Sequence, residues 1–438
     1  MTTVCLSIFE HSEPQALINH QYYCSRMGYE HAKVSMQGLT SSAHKLVFKY
    51  ELLLHKLRKM EDGELLISAT EDCVFFCMLP VEAMAQGRDR LLAGIDGENG
   101  DRQTAIQVWR NTADVRQFVL DCIGRAKIMS GVTQELELHA QQDYLPAFTQ
   151  LAGNYVTVKC GVRYPVNWAG LTNVWTLCLS ELEIYAGVHP LFRQALFEHV
   201  NDWQQKAVPL FQFPAYFHVP QGGHSVHDGA KDIALVMYYT PNIRSFGAIA
   251  ESSAERYCKR HGYTLYVHRE TPPDVEDGIS GTWLKPWLLH KHLPQHEWVI
   301  WVDADMLFIE QSQPLEPLLQ GRDLLAAHDI STWLINAGML GFRRTPRNMT
   351  LLGEMLDGIR AVKDKSSTYA SGGDQTVIAN LLQRELGWTL ADGLDLISLN
   401  TPWFFQQDNS LMVHYYGMVN ELRATIMAAQ DRKSRLQG

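Results

Sequence analysis

The sequence predicts an α/β protein with a largely parallel sheet, written twice along one chain. Three observations lead there. Short apolar strands alternate with helical segments in the second half. Three stretches of the first half recur at a nearly constant distance further on. The length of 438 residues also exceeds one ordinary core and suggests two or three domains.

In the second half, Ile233-Ala234-Leu235-Val236-Met237-Tyr238 reads as a short apolar strand followed by turn formers. Residues 246–261 have helical spacing and stop at Gly262, a residue suited to the left-handed position after a helix. Thr264-Leu265-Tyr266-Val267 is a second strand, residues 287–293 a second helix, and Trp298-Val299-Ile300-Trp301-Val302 a continuous apolar run of the kind a buried parallel strand requires. Such folds bind ligands beyond the carboxyl ends of their strands, which is where Asp303 and Asp305 fall.

The repeat is carried by Tyr23-Cys24-Ser25-Arg26-Met27-Gly28-Tyr29 against Tyr257-Cys258-Lys259-Arg260-His261-Gly262-Tyr263. Leu53-Leu54-His55-Lys56 then matches Leu288-Leu289-His290-Lys291, and Gln86-Gly87-Arg88-Asp89 matches Gln320-Gly321-Arg322-Asp323. The offsets are 234, 235 and 234, a register that chance would not keep. Two homologous halves are expected, 1–228 and 229–438. The join lies in residues 220–229, which are rich in turn formers; His224 and His227 there read as solvated residues.

Hydrophobic residues at 46% and charged residues at 20% describe an ordinary globular chain. The net charge of -10 argues against non-specific nucleic-acid binding, which needs a basic surface. It permits an anionic small ligand where a divalent cation supplies local positive charge. No stretch is long and apolar enough for a membrane span, and the first residues lack the basic and apolar regions of a signal peptide. The eight cysteines are scattered without metal-site spacing, as expected of reduced thiols in the cytoplasm.

Asp303-Ala304-Asp305 carries the chemistry. Carboxylates two residues apart after a buried strand project to one side if the backbone stays extended. Left bare in a partly buried position they would be costly, and a hard divalent cation such as Mn²⁺ or Mg²⁺ resolves that. Short acidic triplets are common in solvated loops, but here an apolar strand precedes the triplet and Met306-Leu307-Phe308-Ile309 follows it.

The run from Trp283-Leu284-Lys285-Pro286 through Glu297 to Phe308 resembles the donor-site core of glycosyltransferase family 34, which contains fungal galactosyl- and mannosyltransferases and plant xylosyltransferases. Tyr257 to Tyr263 is similar to its Y-C-x-x-H-G-Y segment, Asn336-Ala337-Gly338 to its N-x-G segment, Gly373-Asp374-Gln375 to its D-Q motif, and His414-Tyr415-Tyr416-Gly417 to its H-x-x-G. The resemblance implies a GT-A (Rossmann-like) fold, which together with the repeat gives two tandem GT-A domains of which the second is intact. It implies a nucleotide-sugar donor, a carbohydrate or other hydroxyl acceptor, Mn²⁺ or Mg²⁺, and retention of anomeric configuration. Asp303, Asp305 and His414 would be metal ligands, Asp374 and Gln375 would act at the transferred sugar, and Asn336, Gly338 and Gly417 would line the donor or acceptor pocket. Lys285 would face phosphate or be merely solvated. The family commonly has a lysine two residues after the C-terminal glycine, where this chain has Val419; Lys285 or Arg343 takes its place, or the donor is handled differently. Plant and fungal members are membrane-anchored, and the lack of an anchor here suggests a cytoplasmic, bacterial-type enzyme.

In the first half Thr70-Glu71-Asp72 stands opposite the acidic pair, and Gln103 and Ala105 opposite Asn336 and Gly338. His218 echoes His414, with no D-Q counterpart in view. The first half is therefore expected to be a degenerate copy that covers the second, shapes its acceptor site or mediates dimerisation; a second metal on Glu71 and Asp72 is the sharper alternative. Trp168, Trp175, Trp203, Trp403, Phe404 and Phe405 are core aromatics or sugar platforms. The rival activities are a sugar-1-phosphate nucleotidyltransferase, which would need a glycine-rich basic phosphate loop that neither half has, and a carbohydrate-binding pseudoenzyme.

Overall fold

Apolar runs bounded by turn formers become central strands because such strands bury both faces and all of their backbone hydrogen bonds. In the computed structural model, described for residues 2–94, 102–130, 136–137, 140–141, 149–151, 175–178, 190–206, 222–275, 279, 281–329, 333–365, 373–407, 410–418 and 420–437, the chain divides into two compact units, Met1–Leu210 and Phe211–Gly438.

In the first unit β1 (Thr3–Phe9), β2 (Glu30–Ser35), β3 (Leu65–Ala69), β5 (Arg90–Gly94), β6 (Arg102–Arg110) and β7 (Thr149–Leu151) form a sheet in the order β2-β1-β3-β6-β5-β7. β1 pairs in parallel with β2 and β3, whereas β6 is antiparallel to β3 and β5. A separate ribbon pairs β4 (Cys73–Phe75) with β8 (Thr176–Cys178). Helix Ser42–Leu57 starts where the Ser41 hydroxyl accepts the His44 N–H, and it buries Leu46, Tyr50, Leu53 and Leu57.

In the second unit β9 (His224–His227), β10 (Ile233–Tyr238), β11 (Thr264–His268), β12 (Trp298–Val302), β14 (Leu324–Ala327) and β15 (Asn336–Arg343) form a sheet in the order β14-β15-β12-β10-β11-β9. β10 is parallel to β11 and β12, and β15 is antiparallel to β12 and β14. A smaller sheet holds β13 (Met306–Phe308), β17 (Met412–His414) and β16 (Thr401–Pro402) in the order β13-β17-β16. The expected elements all form, with helix bounds of Arg244–His261 and Lys285–His292. The first of these ends on Gly262 at φ 76°, a left-handed position that costs glycine little, after Lys259, Arg260 and His261 in the last turn. The stretch expected to be a solvated linker instead contains the edge strand β9.

The main core of this unit joins Val299 and Trp301 of β12 and Leu340 and Phe342 of β15 to Leu288 and Leu289, and to Leu351, Leu352 and Met355 of helix Pro346–Ala361. That packing fixes the end of β12, and hence the residues that follow it. No helix among the described residues is long and apolar enough to cross a membrane.

Candidate active site

Chain direction alone brings the site together. β12 runs out at Val302, and the backbone turns at Asp303, whose carbonyl accepts the Met306 N–H at 3.2 Å. The next strand, β13, pairs antiparallel with β17 so that Met306 lies opposite His414. The Tyr415 N–H donates to the Asp305 carbonyl at 2.9 Å, locking the two segments side by side. His414 Nε2 consequently stands 3.1 Å from Asp305 Oδ1 and 3.9 Å from Asp303 Oδ2.

One ligand atom from each of Asp303, Asp305 and His414 lies within 4.8 Å of the others, the spread expected of groups sharing one ion. Two carboxylate oxygens with one imidazole nitrogen suit Mn²⁺ or Mg²⁺, and this donor set fits the ion the sequence implied.

The electrostatics are unequal. Burial raises the pKa of Asp303, and the neighbouring Asp305 adds to the rise while the Lys285 ammonium opposes it. Burial also works against ionised Asp305, but the His414 imidazole and the Arg423 guanidinium outweigh it and hold this carboxyl below the ordinary range. Arg423 Nη1 is 3.1 Å from Asp305 Oδ2, its Nη2 donates to the Met418 carbonyl at 2.8 Å, and its guanidinium lies 4.7 Å from the Phe246 ring centre.

Lys285 is neither solvated nor open to a phosphate. Only 2% of its side chain is exposed, and Nζ donates to the Ala337 carbonyl at 2.7 Å while pairing with Asp303 and Asp374 at 3.2 Å each. Burial works to lower the pKa of this ammonium, and Asp303 and Asp374 outweigh it and raise the pKa. Asp303 also accepts the Trp301 indole N–H at 2.5 Å. Asp374 is the first residue of helix Asp374–Leu386 and is buried. Gln375 accepts the Ala337 N–H at 2.9 Å and donates to Asp329 at 3.2 Å.

Asn336 and Gly338 open β15 next to β12, and the Asp303 N–H donates to the Gly338 carbonyl at 2.8 Å. A Cβ on Gly338 would lie 2.4 Å from His414 Cε1, so the imidazole can reach the carboxylates only over a glycine. Gly417 is an exposed turn glycine at φ 73°, beyond the ligands.

The other candidates fall elsewhere. Arg343 is on the surface, paired with Glu297 and Asp323. Trp175 and Trp403 are core residues, and Phe405 is 46% exposed. Val419, His218 and Trp168 lie outside the described residues, as does the side chain of Phe404. Two site residues escaped the sequence reading. Arg423 follows the missing lysine by one helical turn, a spacing that could have found it. Asn400, whose Oδ1 stands 3.0 Å from His414 Nδ1, is a lone polar residue without a motif.

Comparison with known proteins supplies the family. Residues 244–350 match the model of the galactosyl transferase GMA12/MNN10 family, about a quarter of the chain and the part that contains Lys285, Asp303, Asp305 and Gly338. Over this segment the chain is similar to that family. The C-terminal unit is accordingly a glycosyltransferase domain of the α/β GT-A type. Among solved structures, a glycosyltransferase involved in glycosylation of the major capsid of PBCV-1 is 18% identical over 44% of this chain and 98% of that chain, at a TM-score of 0.37. The apo form of the glycosyltransferase GlyE of Streptococcus pneumoniae TIGR4 is 14% identical over 42% of this chain and 54% of that one, with a TM-score of 0.31. The galactosyltransferase LgtC, solved with donor and acceptor sugar analogs, is 16% identical over 42% of this chain and 87% of that chain, with a TM-score of 0.27. No curated protein matches.

Proposed function

We propose that the C-terminal unit moves a hexose or pentose from a nucleotide-diphosphate sugar to a hydroxyl acceptor, retaining the anomeric configuration, with Mn²⁺ or Mg²⁺ held by Asp303, Asp305 and His414. The observation that carries this reading is the convergence of those three groups within 4.8 Å, two of them inside the family segment. A bound cation would supply positive charge to the departing diphosphate.

The chain's own residues do the rest. Arg423 places a guanidinium beside the metal ligands, where the diphosphate would arrive, and takes the part left open at Val419. Lys285 is a positioning residue that spaces Asp303 from Asp374. Asp374 and Gln375 face the transferred sugar, and Asn336 and Gly338 line its pocket. In the transfer the bond from the anomeric carbon to the diphosphate oxygen breaks, a bond to the acceptor oxygen forms, and the hydroxyl proton leaves with the diphosphate. A cytoplasmic setting, where nucleotide sugars are soluble, belongs to the same reading.

The first unit is, in this proposal, a second copy of the fold without transferase chemistry. Its strand order β2-β1-β3-β6-β5 corresponds to β11-β10-β12-β15-β14, and the sixth strand at the β5 or β11 edge differs. A metal on Glu71 is disfavoured because one of its carboxylate oxygens accepts the Glu10 and His11 backbone N–H groups at 2.9 and 2.8 Å.

The test is nucleoside diphosphate release from a panel of nucleotide sugars with Mn²⁺. Asp305→Asn is expected to lose at least a thousandfold in rate, and Arg423→Gln to lose more than Arg423→Lys. No turnover or binding of any donor would end the transferase reading. Consumption of a nucleoside triphosphate with pyrophosphate formation would favour the nucleotidyltransferase, and loss of turnover in Glu71→Gln would revive the first unit as a catalyst.

A further inference from the structure

The site contains a buried polar relay that none of its motifs explains. Gly338 N–H is a donor by constitution, and it points at Asn336 Oδ1 at 3.0 Å, so the atom there is the amide oxygen. That oxygen lies 2.7 Å from the Asn400 amide, which also approaches the Asn336 carbonyl at 3.4 Å. Facing two acceptors, Asn400 must present its NH₂ group on that side. Its Oδ1 then faces His414 Nδ1 at 3.0 Å. An oxygen in that place requires Nδ1 to carry a proton, which leaves the lone pair of the neutral ring on Nε2, the nitrogen turned toward Asp303 and Asp305.

Asn336, Asn400 and His414 are buried, with Asn400 fully shielded from solvent. The bonds among the three are direct, and the sense of every bond descends from one backbone N–H.

From this chain of donors we infer that Asn400 is the positioning residue that fixes the tautomer and ring orientation of His414 as a metal ligand. The inference rests on the metal reading above and adds a residue to it. Histidines that bind metals through one nitrogen commonly donate the other ring N–H to an oxygen, and loss of that partner costs tenfold to a hundredfold in metal affinity. An asparagine fits here where an aspartate would face Asn336 Oδ1, an oxygen already committed to Gly338.

The experiment is a Mn²⁺ titration of the full chain, followed through the free-ion electron paramagnetic resonance signal, with melting curves for each variant. Asn400→Leu, close in size but without an acceptor, is expected to bind Mn²⁺ ten to a hundred times more weakly. Asn400→Asp keeps an acceptor at Nδ1 but turns a second oxygen toward Asn336 Oδ1, so it is expected to weaken binding clearly less than Asn400→Leu does. Equal losses in the two variants would make Asn400 a packing residue only and overturn the inference, as would unchanged affinity in Asn400→Leu. Should the leucine variant fail to fold, Asn400→Ala read against Asn400→Asp gives the same contrast. Absence of Mn²⁺ binding by the parent chain would overturn the metal reading itself, a result separate from parent binding that survives loss of Asn400.

Discussion

The two units build the same turn and load it differently. In the first, the Thr70 N–H donates to the Ala105 carbonyl and the Cys73 N–H to the Thr70 carbonyl, at 2.8 and 3.1 Å. In the second, the Asp303 N–H donates to Gly338 and the Met306 N–H to Asp303, at 2.8 and 3.2 Å. The backbone at the strand end is thus indifferent to whether a metal ligand stands on it. The recurring tyrosines are equally shared: Tyr23 stacks on Phe75 at 4.0 Å and Tyr257 on Phe308 at 3.9 Å, while Tyr29 and Tyr263 donate to Glu82 and Glu316. What recurs is framework; among the described residues a cluster such as Asp303, Asp305 and His414 occurs in the second unit.

A buried lysine sharpens the contrast. Lys49 pairs with Glu137 at 2.8 Å and reaches the Thr104 carbonyl at 3.5 Å, as Lys285 pairs with Asp374 and bonds the Ala337 carbonyl. Both carbonyls belong to the residue before the one that receives the strand-end N–H. Replacing either lysine by Met leaves an uncompensated buried carboxylate and is expected to destabilise its own unit by about 3–5 kcal/mol in chemical denaturation. Donor turnover should vanish for Lys285→Met and persist in the folded fraction of Lys49→Met; loss in both would mean that the first unit takes part in catalysis.

The next largest effect is expected at Gly338. Gly338→Ala should weaken Mn²⁺ binding about a hundredfold, since the methyl group meets the His414 ring. Ala105→Gly should leave Mn²⁺ binding unaltered and cost the first unit about 0.5–1 kcal/mol in a thermal melt.

Glu71 separates the units by pH. Burial, helped by the charge of Asp72, raises its pKa to about 7. The native state then holds a proton that the unfolded chain releases above about 4.5, so this group's stabilisation is present at low pH and is lost as pH rises from there through about 7. Glu71→Gln is expected to raise stability by about 3 kcal/mol at pH 8 and to change it little at pH 4.5, with turnover unchanged. An equal shift at both pH values would show that the carboxyl does not titrate between them. Smallest is Arg343→Gln, expected to stay within about 0.5 kcal/mol in stability with full activity, because its ion pairs are exposed.

Much of this was legible in the sequence for a physical reason. Strand apolarity, the helix-ending Gly262 and the repeat register are local or periodic signals, and they located β10, β11 and β12, whereas β13, β15 and β17 were marked by motifs and not as strands. The acidic pair was legible because a carboxylate directly after Val302 has no structural reason to be there. Lys285 was not: solvated and buried lysines look alike until two carboxylates from distant segments close on them. Asn400 depends on a chain reversal between β16 and β17 that leaves no mark in local composition, and Arg423 was marked only by its spacing from Val419.

The glycine beneath the imidazole also bears on how such a chain can change over time. At the matching sheet position of the first unit the residue is Ala105, and its methyl group removes the clearance a ligand ring needs. Placing an aspartate at Thr70 alone would therefore build no such site, because ligand, glycine and ring would have to come together. A single added carbon is harmless to the fold that keeps it and closes that position to a ligand ring.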